Sequence, residues 1–296
     1  MNVASGGVKM NPRRFSRNQI PIYLYIIPIA VFMGLPIVYI INHALKPMDE
    51  LFAFPPRFFA AHPTFNNFYN LFASASNSSI PVSRYAFNSI IVTIAVVFLS
   101  VFFSTLAGFA LSKMRFKLKF MLFEVNNAAL MFVAVAVSIP RYLTIARIGI
   151  LDTYLAHILP LIAMPVALFL IKQFIDQVPD ALLEAAQIEG AGPFTVYRRV
   201  IIPLIKPAIA TGAILTFQQV WNNVETSNLF TSSESIRTLA FYLNTFSAGG
   251  ATGSANAVQG QGIAAAASVV MFIPNLLLFI NMQSSVMNTM AHSGLK

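Results

Sequence analysis

The sequence predicts an all-α, polytopic membrane protein with six transmembrane helices and one short surface helix that is not itself a span. Three observations carry this reading. Only 10% of the 296 residues are charged and 57% are hydrophobic, whereas a soluble domain carries about 25% charged residues. Mean hydropathy is +0.70. Apolar runs of about 20 residues, the length that crosses about 30 Å of hydrocarbon, recur six times along the chain.

The first span is read at residues 20–45, after a basic tail over 1–19 with Lys9, Arg13, Arg14 and Arg17 and no acid. Its apolar stretch is too long for a cleavable signal, and no small-residue cleavage site follows. Lys46 to Arg84 then places Phe52, Phe54, Phe58, Phe59 and Phe65 among prolines. That composition suits a packed surface loop or an interfacial belt, where aromatic rings favour the headgroup level. The second span covers 85–111 and ends in KMRFKLK, the third covers 120–139, and the fourth 154–171. The fifth covers 205–221. A polar stretch from Asn222 to Gln261 follows, glycine-rich near its end (Gly249, Gly250, Gly253) and expected to be partly flexible. The sixth covers 262–282, so the helical unit extends over 20–283, with a short polar tail over 284–296 expected to be disordered.

Charge placement orients the spans. The N-terminal tail, the loop with Lys113, Arg115, Lys117 and Lys119, and the segment with Lys172, Arg198, Arg199 and Lys206 hold most of the basic residues. By the positive-inside rule both termini and the 174–204 loop face the cytoplasm. The net charge of +9 is thereby a property of membrane loops, with lipid as the partner and nucleic acid excluded.

Several chemistries are missing from the sequence. Without cysteine there is no disulfide, thiolate ligand or cysteine nucleophile, and the four histidines have no ligand spacing. No GxxxxGK[ST] loop, HExxH or GxSxG occurs, so the chain is expected neither to bind a nucleotide cofactor nor to act as an enzyme. Within the six spans the ionisable groups are sparse, Glu124 and His157 being the notable ones. Ion-coupled carriers place charges deep in the membrane; their scarcity indicates energy supplied from outside it.

The segment PDALLEAAQIEGAGPFTVYRRVIIPLIKP, from Pro179 to Pro207, is the most specific signal. Leu182, Leu183, Ala186 and Ile188 predict an apolar side of a short helix, with Asp180, Glu184, Gln187 and Glu189 polar. Gly190 and Gly192 stop it, and Pro193 opens a second helix. Glu184-Ala185-Ala186, Gly190 after three residues, and Val200-Ile201-Ile202-Pro203 after nine more resemble the EAA loop of ATP-binding-cassette (ABC) importer permeases. Pro203-Leu204, Pro207, Phe217 and Trp221-Asn222 narrow the resemblance to the carbohydrate-uptake, MalG-like type; Asn223-Val224-Glu225 departs from it.

The resemblance implies a cytoplasmic coupling helix, with Asp180, Glu184, Ala185, Ala186, Glu189 and Gly190 seated on an ATPase. It implies a second, non-identical permease, two ATPase subunits that carry ATP and Mg, and an external solute-binding protein, all at the bacterial inner membrane. The cargo it implies is a sugar or oligosaccharide, an acidic alginate fragment being one candidate. A non-sugar solute is the alternative, and a secondary carrier or a scaffold a more distant one. Gln218, Gln219, Trp221 and Asn222 are the residues expected to line a solute path, since amides hydrogen-bond hydroxyls and an indole face stacks on a sugar. Amides bonding between helices, beside an interfacial Trp, are the other account of these residues.

Overall fold

The computed structural model describes residues 20–51, 53–73, 80–249 and 255–293, and among these there are helices and no strands. Three helices are long and apolar enough to cross a membrane, or six spans if each of three bent pairs is counted as one.

Helix α1 (Ile20–Leu45) has the bounds the apolar run predicts. Its N-terminal half is largely exposed: Leu24, Tyr25, Phe32 and Met33 are about three-quarters exposed, from 70% to 74%. Two short helices follow, α2 (Met48–Leu51) and α3 (Asn66–Ala73). The Glu50 carboxylate of α2 accepts the backbone N–H groups of Ala61 and His62, in the connection to α3, at 2.9 and 2.7 Å. These bonds hold its pKa below the usual carboxylate range. Phe54, Phe59 and Phe65 remain exposed, as an interfacial belt requires; Phe52 lies outside the described residues.

Helix α4 (Val82–Lys113) is the central strut. Its buried face is built from Asn88, Ser89, Thr93, Ser100, Ser104, Thr105 and Gly108 as much as from valine. Lipid tails are as apolar as leucine, so helices in a membrane associate by close approach of small residues. A Cβ on Gly108 would stand 3.3 Å from both Ile171 and Ile175. Asn88 is fully buried. Its Nδ2 donates to Ser235 and Arg237 carbonyls at 2.9 and 2.8 Å, and its Oδ1 accepts from the Tyr154 hydroxyl at 2.6 Å. Asn88→Ala is expected to lower stability by about 2 kcal/mol, because three paired groups lose their partner at once. Thermal unfolding in detergent would show this, and an unchanged midpoint would contradict it.

Two of the predicted spans are broken helices. The third is not continuous over 120–139: α5 (Lys119–Met131) stops, a 3₁₀ turn occupies Ala134–Val137, and α6 (Ser138–Ile148) follows. The axis turns by 111° there. Val133, Val135 and Val137 are β-branched and Pro140 fits only a first helical turn, so the run is apolar without favouring one helix. The fourth span continues beyond residue 171, as α7 (Tyr154–Ile162) and α8 (Pro165–Asp176), bent by 40°. Pro165 forces Met164 into an extended conformation (φ −108°, ψ 91°).

After α8 come α9 (Asp180–Ile188), α10 (Pro193–Val196), a π-helical turn over Tyr197–Ile201 and α11 (Ile202–Leu204). The fifth span is α12 (Lys206–Trp221), which leaves the preceding segment at 79° with Pro207 in its first turn. The stretch from Asn222 is more ordered than its composition predicts. It holds α13 (Glu225–Phe230), a 3₁₀ turn at Glu234–Ile236 and α14 (Leu239–Gly249); Gly250 and Gly253 lie outside the described residues. Helix α15 (Ala255–Ser293) contains the sixth span and runs on well past residue 282. Most of the expected polar tail is thus helical backbone rather than a separate disordered segment.

Candidate functional site

Helix α9 begins where Pro179, extended at φ −61° and ψ 134°, ends the backbone run from α8. Asp180 occupies its first turn, where a carboxylate complements the helix dipole. Lys113, the last residue of α4, reaches this junction with its side chain 8% exposed. Its ammonium donates to the Val178 carbonyl at 2.6 Å and to Asp180 Oδ1 at 2.7 Å. One lysine therefore ties the ends of α4 and α8 to the start of α9. The Lys113 hydrogen bond and charge hold the Asp180 carboxyl below its ordinary pKa. The pair is accordingly intact across the neutral range and is lost only as pH falls through that lowered value.

The other end of α9 closes on glycine. Gly190 adopts φ +85°, and its N–H donates to the Gln187 carbonyl while the Ala191 N–H reaches back to Ala186, both at 2.9 Å. These two bonds are the Schellman pattern that satisfies a helix C-terminus. No neighbour lies within 4 Å of where a Gly190 Cβ would stand, so the backbone angle alone demands glycine.

Only part of the predicted apolar side faces inward. Leu183 is buried and Ala186 half-buried against a cluster of Phe109, Ile175, Val196, Tyr197 and Ile201. Leu182 and Ile188 are 45% and 88% exposed, and Phe194 of α10 is 66% exposed. Glu184, Ala185, Glu189 and Gly190 are exposed as well. Glu184 and Ile188, four residues apart, share the outward face, with Ala185 beside them. The Tyr197 hydroxyl in the π turn lies 2.8 Å from Thr105 Oγ1 of α4. The outward helix is thus rooted by Leu183, Lys113 and Tyr197 in the same long strut.

Lys113 entered the sequence reading only as an orienting charge, and Tyr197 not at all. Lys113→Met is expected to reduce function of the assembled protein about tenfold, the equivalent of about 1.4 kcal/mol of lost positioning. Lys113→Arg would restore most of it. Full function in Lys113→Met, measured at equal abundance, would remove the positioning role.

The residues expected along a solute path separate. Gln218 and Gln219 are exposed on α12. Trp221 is 8% exposed: its ring stacks on Phe217 at 5.7 Å between centroids, and its N–H reaches the Met271 carbonyl at 3.3 Å. The indole is therefore a packing side chain joining α12 to α15, and its face is not offered to a sugar. Asn222 alone of the four lines a cavity, about 360 Å³ in volume, between the end of α12, α14 and α15. Asn244, Ser268 and Asn275 share that cavity and were missed. Ser268 and Asn275 are seven residues apart in an apolar helix, a spacing that puts both on one face and could have marked it.

A family profile described as "Binding-protein-dependent transport system inner membrane component" matches residues 20–285. The chain is 29% identical to "Probable ABC transporter permease protein YurM" of Bacillus subtilis, over 98% of this chain and 93% of that one. It is 27% identical to "Trehalose transport system permease protein SugB" of Mycobacterium tuberculosis, over 88% of this chain and 92% of that one. Its fold matches a chain in the crystal structure of a bacterial ABC transporter involved in the import of the acidic polysaccharide alginate. The TM-score there is 0.74 and the identity 20%, and the match covers 93% of this chain and 99% of that chain.

Proposed function

Since the chain belongs to the family of binding-protein-dependent transport system inner membrane components, we propose that it is the permease subunit of an ATP-driven sugar or oligosaccharide importer. It works in the bacterial inner membrane with a second permease, two ATPase subunits on the cytoplasmic face and an external solute-binding protein. ATP and Mg belong to the ATPase chains, and this chain contributes movement rather than catalysis.

The observation that carries the proposal is the outward face of α9. Glu184, Ala185 and Ile188 are presented to solvent by a helix whose root is fixed in α4 and α8. The face carries an acid, a small residue that lets another backbone approach, and an apolar anchor, which suits insertion into a groove of a partner. When ATP closes the ATPase pair, a helix held in this way transmits the displacement instead of absorbing it. The path runs through Leu183 and Tyr197 to α4, and through the 79° elbow into α12. Alternating access requires a rigid element with two positions, biased by a distant ligand.

Sugar cargo is supported by the trehalose system named for one relative, and alginate by the transporter whose fold is shared. The test is affinity purification of the tagged chain from native membranes, followed by uptake in proteoliposomes. Recovery of an ABC ATPase and a second permease, with ATP-dependent entry of trehalose or an alginate oligosaccharide, is the expected result. A chain that purifies alone, or transports without any ATPase, overturns the proposal. Entry of an amino acid alone would retain the importer and replace its solute.

A further inference from the structure

The cavity beside Asn222 has a composition that constrains what it can bind. Its polar lining is made of three carboxamides and a hydroxyl, Asn222, Asn244, Asn275 and Ser268, set against the apolar side chains of Met271 and Phe272. Among the described residues, no ionisable side chain lines it. Its volume, about 360 Å³, falls within the range of small-ligand pockets, about 300–1,000 Å³.

Two of the amides hold each other in place. Asn222 Nδ2 donates to the Gln218 carbonyl at 2.8 Å, which turns its Oδ1 towards Asn275. Asn275 Nδ2 donates to the Met271 carbonyl at 3.1 Å and to Asn222 Oδ1 at 3.4 Å. Asn275 Oδ1 is buried and accepts no hydrogen bond. Ser268 Oγ donates to the Ala264 carbonyl at 2.9 Å, so its lone pairs remain to accept. A polar oxygen without a partner is costly in a membrane-embedded helix, and Asn275 Oδ1 is such an atom, while Asn222 Oδ1 and Ser268 Oγ each keep a lone pair that can accept.

A hydroxyl-rich solute meets this arrangement at both ends. Each hydroxyl donates to an amide or serine oxygen and can accept from an amide N–H, while the C–H face of a ring packs on Phe272. A carboxylate, phosphate or sulfonate would meet acceptors without a cation to offset its desolvation. We infer that the cavity among α12, α14 and α15 is a solute-contact site that takes an uncharged, hydroxyl-bearing unit, a polyol or neutral glycosyl residue, in preference to an anionic one. The inference rests on the importer reading and narrows its substrate class.

The absence of cysteine makes the test direct. Ser268→Cys is placed in the full transporter in proteoliposomes and exposed to two charged methanethiosulfonates, one sulfonated and one trimethylammonium, in resting and vanadate-trapped states. Labelling of this chain is read by mass. Ser268→Cys is expected to react with the trimethylammonium reagent faster than with the sulfonated one in at least one state, while Ala266→Cys, on the same helix and fully buried, stays unmodified by either. Trehalose is expected to slow the labelling more than glucuronate or sn-glycerol 3-phosphate at equal concentration. Asn275→Leu is expected to lower trehalose uptake at limiting trehalose about tenfold at equal abundance, since loss of one buried pairing is worth about that factor. No labelling in either state, equal protection by all three probes or by none, stronger protection by the anions, or normal uptake in Asn275→Leu would each overturn the inference. Wild-type liposomes without ATP-dependent uptake would count against the importer reading instead, and the labelling would remain readable.

Discussion

Gly190→Pro is expected to abolish ATP-coupled uptake while the chain inserts at wild-type abundance. Gly190 sits at φ +85° and donates its N–H to the Gln187 carbonyl. Proline fixes φ near −65° and has no N–H, so the substitution removes one Schellman bond and misdirects the chain entering α10. Such backbone conflicts cost about 3 kcal/mol or more. Gly190 is exposed at the end of a surface helix and touches none of the membrane-packed clusters, so the cost falls on the shape of the loop rather than on the bundle. Gly190→Asn serves as the control, since asparagine tolerates the left-handed region, and should retain most uptake. Uptake in Gly190→Pro comparable to wild type would mean that the turn does not transmit force.

Glu184→Lys should separate the permease from its ATPase without unfolding it. Within the described residues the Glu184 side chain is exposed and pairs with no other group. Reversing its sign is therefore expected to change the stability of the isolated chain by no more than about 0.5 kcal/mol. At a docked interface the same change breaks a charge-assisted contact and places like charges together, which costs about 2–5 kcal/mol. Co-purification of the ATPase should drop accordingly, and a compensating acidic substitution in the ATPase groove should restore it. Normal ATPase recovery and uptake in Glu184→Lys would rule out an energetic role for this carboxylate.

The helix, glycine turn and second helix from Asp180 to Val196 were legible in the sequence because their signals are local. Acid at the first turn, small residues, Gly190 and Pro193 all fall within fifteen positions and each has its own backbone meaning. Span α1 was legible for a similar reason, as an uninterrupted apolar run between basic and polar flanks. The breaks were harder to read. Window hydropathy stays high through Val133–Val137 and through Met164–Pro165, so it registers a span where the backbone makes a bend. The partners of the site were not legible at all. Lys113 meets Asp180 across 67 positions and Asn275 meets Asn222 across 53, and no periodicity in one helix reports on its neighbour. Trp221 illustrates the converse error. A Trp-Asn pair with adjacent glutamines reads as a sugar platform, yet Phe217 and Met271 already occupy the indole.

The central claim is that the outward face of α9 is the surface an ATPase grips. The most direct measurement puts a photo-crosslinking amino acid at Ile188, which is 88% exposed and four residues from Glu184, and irradiates native membranes. The account predicts a crosslinked band that contains this chain and an ABC ATPase, in a yield that changes between resting and vanadate-trapped states. Crosslinks only to lipid or to another membrane chain, unaltered by nucleotide, would contradict it.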